Sequence, residues 1–268
     1  MERKIKVETS KCIHCGQCIK DCIVSCLEFG EDKIPQYTNG GASMCVMCQH
    51  CMAVCPTGAL SFGGKNPEDS SPFMTVKPEE LLAMMKSRRS IRRYRNEDIP
   101  SETMQKLIEV LAYTPKGGNV DALHFTIVST CAKMDAIRKA ANEALMKTES
   151  DSPMLNTLKQ WAASGHDMIF RDAPAMIVAA VDRSEAVAGC EDVDPIIALS
   201  YFELYANSLG IGTLWDDAAE GVISNFPELC SLLEIPEGYT PNFVLLMGLP
   251  AVSYKRSVQK ESKSVKIL

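Results

Sequence analysis

The sequence has 268 residues, 46% of them hydrophobic and 23% charged, with a formal net charge of −6. Those proportions exclude collagen-like and disordered chains, and an acidic balance without blocks of Lys or Arg argues against nucleic acid as a partner. No apolar run approaches the roughly 20 residues that cross a bilayer; the opening Met-Glu-Arg-Lys-Ile-Lys lacks the apolar core of a secretory signal, so a cytoplasmic location without membrane contact is expected.

Of the 12 cysteines, nine fall between Cys12 and Cys55. Such density would suit a secreted disulfide framework, but with no export signal and a long chain, reduced thiols gathered for metal are the better reading. They form Cys12-x2-Cys15-x2-Cys18-x3-Cys22 and Cys45-x2-Cys48-x2-Cys51-x3-Cys55, the second followed by Pro56. Corresponding cysteines lie 33 residues apart (45 − 12), and little but the cysteines repeats. Three thiolates spaced by two residues can wrap a loop around one iron–sulfur cube. The fourth, three residues on, points away and ligates the other cube. Cys12, Cys15, Cys18 and Cys55 are therefore assigned to one [4Fe–4S] cluster, and Cys45, Cys48, Cys51 and Cys22 to the other. Structural zinc would want isolated ligand pairs instead.

This array resembles the bacterial two-cluster ferredoxin, with Ile23 standing where that family usually has proline. Cys26, outside the pattern, reads as a small buried thiol. His14 and His50 read as solvent-side residues within the loops. No Cys-x-x-Cys-His occurs, which leaves out covalent haem.

A stretch rich in Pro, Gly and small polar residues follows, and the chain divides into residues 1–64, a linker over 65–77, and residues 78–268. The first part is too small to bury much core and is expected to depend on its metal for folding. In the second part, Glu79 to Lys86 reads as a helix opened by Pro78. Pro100 to Ala112 is another, with Met104, Leu107, Ile108 and Leu111 on one face. Phe125 to Val128 reads as a strand, Asp135 to Met146 as an amphipathic helix and Ala175 to Val181 as a strand. Ile196 to Leu209 is apolar nearly all round, broken by Ser200, Glu203, Asn207 and Ser208. It is expected to be buried on every side, in a domain centre or a subunit interface. Asn242 to Met247 reads as the last strand. The expected fold is α+β, a small ferredoxin-like domain followed by a domain with a central sheet flanked by helices.

Arg88-Arg89-Ser90-Ile91-Arg92-Arg93, directly after a helix, has the make-up of an anion site, since guanidiniums bind phosphate bidentately. A solvated basic run is the plain alternative. Asn119 follows Pro115-Lys116-Gly117-Gly118, a turn that permits close approach of backbone to a ligand. Gly210-Ile211-Gly212-Thr213-Leu214-Trp215 reads as a turn that closes the apolar helix. Its Gly-x-Gly follows a helix rather than a strand, so it is no dinucleotide fingerprint. Lys255 and Arg256, beyond Pro250, are within reach of a phosphate.

Together with Ala173-Pro174 and the late Gly248-x-Pro250, these motifs resemble the FMN-dependent nitroreductase family over about residues 78–258. Placed behind a two-cluster ferredoxin, they are similar to the ferredoxin–nitroreductase fusions of anaerobes. The resemblance implies a C2 homodimer with FMN at the interface. It implies that Arg88, Ser90 and Arg256 or Lys255 hold the phosphate, with Arg89 in the same entry motif. It places Arg92 at the flavin N1/O2 edge, Asn119 at the ring edge, and backbone around Leu214, Trp215 and Asp216 near N5. Lys116, Asp121 and Leu123 replace the family's usual Ser, Gln and Trp, so the substrate side of the pocket is expected to differ. His124 and His166 are candidates for proton supply beside plain core or surface roles.

Three functions follow. The leading one is an FMN oxidoreductase whose clusters pass electrons from a reduced ferredoxin, a flavodoxin or NAD(P)H to the flavin, for reduction of a small acceptor such as a nitroaromatic, quinone or activated alkene. The second has NAD(P)H reduce FMN directly, with the clusters as the exit. The third is a non-catalytic electron-transfer or redox-sensing module.

Overall fold

The computed structural model describes residues 2–149, 152–261 and 263–268. Two compact units emerge, Met1–Thr75 and Val76–Leu268. Among the described residues no helix is long and apolar enough to cross a membrane.

The first unit is built twice over. Strand β1 (Ile5–Val7) pairs antiparallel with β4 (Leu60–Phe62), and β2 (Leu27–Phe29) with β3 (Pro35–Tyr37). Between them lie three single-turn helices, α1 (Gln17–Lys20), α2 (Gly41–Met44) and α3 (His50–Ala53). Helices of four residues are not stable alone in water. What they pack against is a small core of Cys18, Cys26, Leu27, Cys45, Met52, Leu60 and Phe62, and that core is itself largely sulfur.

The second unit has a four-stranded antiparallel sheet in the order β5 (Leu123–Val128), β6 (Ala175–Asp182), β8 (Tyr239–Gly248), β7 (Gly212–Trp215). Alternation of side chains along a strand sends β6 into two cores. Met176 and Val178 join the core under α6 (Cys131–Lys147), α7 (Pro153–Ala163), α9 (Asp217–Asn225) and α10 (Pro227–Leu232). Ala175, Ile177 and Ala179 face α5 (Ser101–Val110) and α8 (Val193–Ser208). The amino-terminal helix of this unit, α4 (Pro78–Ser87), buries no residue.

One expectation needs correction. Gly212–Trp215 is the edge strand β7 rather than a turn, because Gly210 (φ +77) ends α8 and frees the next residues to pair with β8. Within the single chain helix α8 buries one side: Leu199, Phe202 and Ala206 lie in the core, whereas Ile196 and Tyr201 stand 41% and 47% exposed. Its one buried glutamate, Glu203, sits on the inner side. On α5, Met104 and Leu107 are buried, but Ile108 turns outward. Helices α7, α9 and α10 were not expected from the sequence pattern.

Candidate cofactor sites

Each expected cysteine quartet lines its own hollow. Cys22, Cys45, Cys48 and Cys51 surround one of about 370 Å³, and Cys12, Cys15, Cys18 and Cys55 surround another of about 350 Å³. In each, three cysteines come from one loop and the fourth from the other half of the unit. Among the described residues no three His, Cys, Asp or Glu converge tightly enough to hold a single metal ion. The thiols are spread around a cavity, an arrangement that suits a polynuclear cluster.

The backbone repeats where the side chains do not. His14 and Met47 are both left-handed (φ 54 and 55), as are Gly16 and Gln49 (φ 70 and 62). Left-handed residues between right-handed ones turn successive N–H groups into anion-binding concavities, and a thiolate-bound cluster is an anion. Backbone N–H groups already point at sulfur, among them Met47 to Cys45 at 3.4 Å, Cys26 to Cys22 at 3.4 Å and Ala59 to Cys55 at 3.3 Å. Burial pushes the Cys18 thiol up and the Cys51 thiol up to about 12. Burial also raises Cys55, but the Thr57 N–H, the Thr57 hydroxyl and the Ala59 and Leu60 N–H groups outweigh it and leave that thiol lowered.

Cys26 is buried, as expected, yet not idle. Its sulfur lies 3.3 Å from Cys22 Sγ, and burial together with that neighbour pushes it up to about 12. His14 and His50 are exposed, with Nδ1 of His14 3.0 Å from the Lys33 carbonyl and Nδ1 of His50 3.6 Å from Asp21.

In the second unit the arginine loop leaves α4 and is fastened to β7. Ser90 forms a parallel bridge with Thr213, the Ile91 N–H donates to the Thr213 carbonyl at 2.9 Å, and Gly212 allows the approach. A Cβ on Gly212 would lie 2.6 Å from the Ile91 side chain. The fastening centres on Glu203. Its Oε1 accepts from Arg88 at 3.1 Å and from the Thr213 hydroxyl at 3.0 Å, and its Oε2 accepts from the Trp215 indole at 3.2 Å. Sequence reasoning passed over Glu203 as a mere break in an apolar helix; a lone acid at a core position was the available signal.

The loop's arginines then part ways. Arg88 pairs with Glu203 through Nη1 and is about a third exposed, which leaves donors for an anion. Arg89 folds back on the Lys86 and Arg88 carbonyls and caps α4. Arg92 is exposed and makes no hydrogen bond or ion pair among the described residues. Lys255 and Arg256 are exposed in the segment after Pro250, which is tied to the same loop where Tyr94 bridges Pro250 and the Ala251 N–H donates to the Arg93 carbonyl.

Asn119 is left-handed (φ 56) at the end of a single 3-10 turn, Gly117–Asn119. That turn is pinned by Asp194 of α8, whose two carboxylate oxygens accept from the Gly117 N–H at 3.0 and 3.1 Å. Lys116 and Asp121, both departures from the family pattern, pair with each other at 2.6 Å. Asp216 is buried and its carboxylate accepts from the Ala219 N–H, capping α9, while its own N–H donates to the Val244 carbonyl. Asp216 thus has a structural task in which both groups are engaged. Trp215 packs edge-on against Phe243. His124 contacts the Thr126 hydroxyl and packs edge-on against Tyr239, and His166 contacts the Ser164 hydroxyl and Trp161. Both histidines have local partners.

Two family models match the chain. A model described as the nitroreductase family matches residues 85–249, and one described as a 4Fe-4S dicluster domain matches residues 11–59. A protein of Methanothermobacter thermautotrophicus, with the provisional name NADH dehydrogenase/NAD(P)H nitroreductase, is 27% identical over 183 residues, 66% of this chain and 80% of that one. A nitroreductase from Bacteroides fragilis, solved with bound FMN, superposes with a TM-score of 0.61 at 24% identity over 70% of this chain and 98% of its own. A nitroreductase from Desulfitobacterium hafniense, also solved with bound FMN, gives 0.57 at 25% identity over 73% of this chain and 100% of its own. With well over half of its length matched, the chain belongs to the nitroreductase family, and a 4Fe-4S dicluster domain precedes that part.

Proposed function

We propose that the chain is an FMN-dependent oxidoreductase that draws electrons through two [4Fe–4S] clusters of its own. One observation carries the reading: two four-cysteine hollows and a nitroreductase-family unit occur in a single chain. Clusters exchange electrons singly and a flavin collects two, so the pair suits reduction of a small acceptor such as a nitroaromatic, a quinone or an activated alkene.

In this reading Cys12, Cys15, Cys18 and Cys55 hold one cluster, and Cys22, Cys45, Cys48 and Cys51 the other. The donor set of the arginine loop fits a flavin mononucleotide. Arg88 keeps unpaired N–H groups beside Ser90 for one terminal phosphate, with Lys255 or Arg256 as the second cation. Arg92, exposed and without an ion pair, is the cation for the flavin N1/O2 edge, where negative charge develops on reduction. Asn119, at the end of the turn whose Gly117 N–H is held by Asp194, is assigned to the ring edge, and Leu214 and Trp215 of β7 to the N5 side. The apolar faces left open on α4 and α8 support a C2 homodimer that completes the flavin site.

Anaerobic stopped-flow with a low-potential one-electron donor, reduced ferredoxin or flavodoxin, tests the reading. Full-length protein should bleach its flavin, and a chain starting at Phe73 should keep FMN but lose this route. Equal rates in both would end it. The name of the Methanothermobacter relative favours a second reading, in which NAD(P)H reduces the flavin directly and the clusters are the exit. Fast flavin reduction by NADH in the shortened chain is the outcome that would select it.

A further inference from the structure

The two cysteine hollows are near-copies, so each is an internal reference for the other. An offset of 33 residues carries Cys22, Val24, Cys26 and Leu27 onto Cys55, Thr57, Ala59 and Leu60. Strand pairing extends the match: Tyr37 lies opposite Leu27 as Val7 lies opposite Leu60. At the hollow of Cys22, Cys45, Cys48 and Cys51, two polar groups therefore replace two apolar ones. A thiol, Cys26, stands where the other half has the methyl group of Ala59. A phenol, Tyr37, stands where it has Val7.

Both groups are placed to act on ligand sulfur. Cys26 is 2% exposed, with its sulfur 3.3 Å from Cys22 Sγ. The Tyr37 hydroxyl is fully buried without a hydrogen-bond partner, and the side chain lines this hollow. The other hollow has a single hydroxyl in return, Thr57, at a longer 3.8 Å from Cys55 Sγ. The Cys26 N–H to Cys22 at 3.4 Å is matched by the Ala59 N–H to Cys55 at 3.3 Å; Cys55 also receives the Thr57 and Leu60 N–H groups, which the buried thiol and phenol of the other half must outweigh.

We propose that Cys26 and Tyr37 make the two clusters unequal, holding the one ligated by Cys22, Cys45, Cys48 and Cys51 at the higher reduction potential. The inference rests on the cluster assignments above and is independent of the flavin. Reduction adds one negative charge to a cluster and its sulfurs, and hydrogen bonds to those sulfurs favour the reduced form. Donors to a charged acceptor count for more than neutral pairs, and an orphaned buried hydroxyl gains most from an acceptor that becomes more negative. With clusters bound, an electron given to the one held by Cys12, Cys15, Cys18 and Cys55 would be transferred to its neighbour, the first being oxidised and the second reduced by one electron with no proton moved.

The test is a reductive titration of the anaerobically purified full chain, followed by electron paramagnetic resonance, with iron and sulfide assayed in every variant. The wild type should reduce in two separate one-electron steps. Cys26→Ala and Tyr37→Phe should each weaken the upper step by about tenfold in its reduction equilibrium, ~59 mV for one electron, and leave the lower step in place. Ala59→Cys grafts the thiol onto the other half and should raise the lower step. That graft decides the matter even if Cys26→Ala fails to load its clusters. A single unresolved wild-type step, or an upper step unmoved by Cys26→Ala and Tyr37→Phe, overturns the proposal. So does a lower step that ignores Ala59→Cys. None of these readings needs bound flavin, so failure here and failure of the oxidoreductase reading are separable.

Discussion

Glu203 satisfies three donors at once, Arg88, Thr213 and Trp215, from a position only 8% exposed. Glutamine, with one carbonyl oxygen and an NH2 group, cannot accept from all three. Glu203→Gln should therefore cost about 1–3 kcal/mol in urea unfolding, the usual penalty for an orphaned buried donor. It should also loosen Arg88. If Arg88 holds the FMN phosphate as proposed, Arg88→Ala removes a charge-assisted contact, and FMN affinity should fall by about one to two decades, ~1.5–3 kcal/mol, in a fluorescence titration. Arg92→Ala is expected to act otherwise, lowering the flavin potential in a spectroelectrochemical titration more than it weakens binding. An unshifted potential would remove Arg92 from the ring edge. At this scale the sequence made the arginine run conspicuous but could not apportion it. Arg89 is spent on capping α4, and only the fold brings Lys86 and Arg88 carbonyls within its reach.

Helix α9 begins where β7 ends, and Asp216 governs the junction by capping the helix from a buried position. Burial raises its carboxyl above the ordinary range, against the lowering effects of the Ala219 and Ala218 N–H groups and Arg171. A carboxyl raised in the folded state contributes stability that is full below its unfolded pKa and declines as pH rises through the folded one. Asp216→Asn keeps a capping side chain and removes this titration. Thermal unfolding of that variant should be flatter across the carboxylate range than that of the wild type, and Asp216→Ala should be equally flat but about 1 kcal/mol less stable than the Asn variant, because the cap is lost. A parallel pH profile in the Asn variant would count against the buried charge. The strand β7 shows why elements were only partly legible. The turn signal of Gly210 just before it and of Gly212 at its start hides it, and what makes these residues a strand is β8 lying alongside. Strands β6 and β8, rich in β-branched and aliphatic residues over a full run, announced themselves. Ile108 misled, because helical spacing records a face without recording how wide the partner is.

For the whole molecule, the division near residue 75 was readable as a change in composition, and the crossing of the two cysteine quartets as spacing alone. The assembly was not readable in the same way. Helix α4 buries no residue in the single chain and leaves Leu81, Leu82 and Met85 exposed, while α8 presents Ile196 and Tyr201. Apolar surface gathered on two helices of one unit calls for cover. Sedimentation at micromolar concentration should find a dimer, and Tyr201→Arg should shift it toward monomer with loss of flavin. A flavin-loaded monomer of the unaltered chain would contradict this.

The crossing of the quartets also sets a timetable for synthesis. As the chain emerges, the first loop has offered Cys12, Cys15, Cys18 and Cys22 long before either hollow has its walls, since on the proposed assignment Cys22 belongs to a set completed only by Cys51, and Cys18 to one completed only by Cys55. Four residues of elongation separate the two completions (55 − 51). On the proposed assignment both sets are therefore completed within those four residues, and neither half can be finished well ahead of the other.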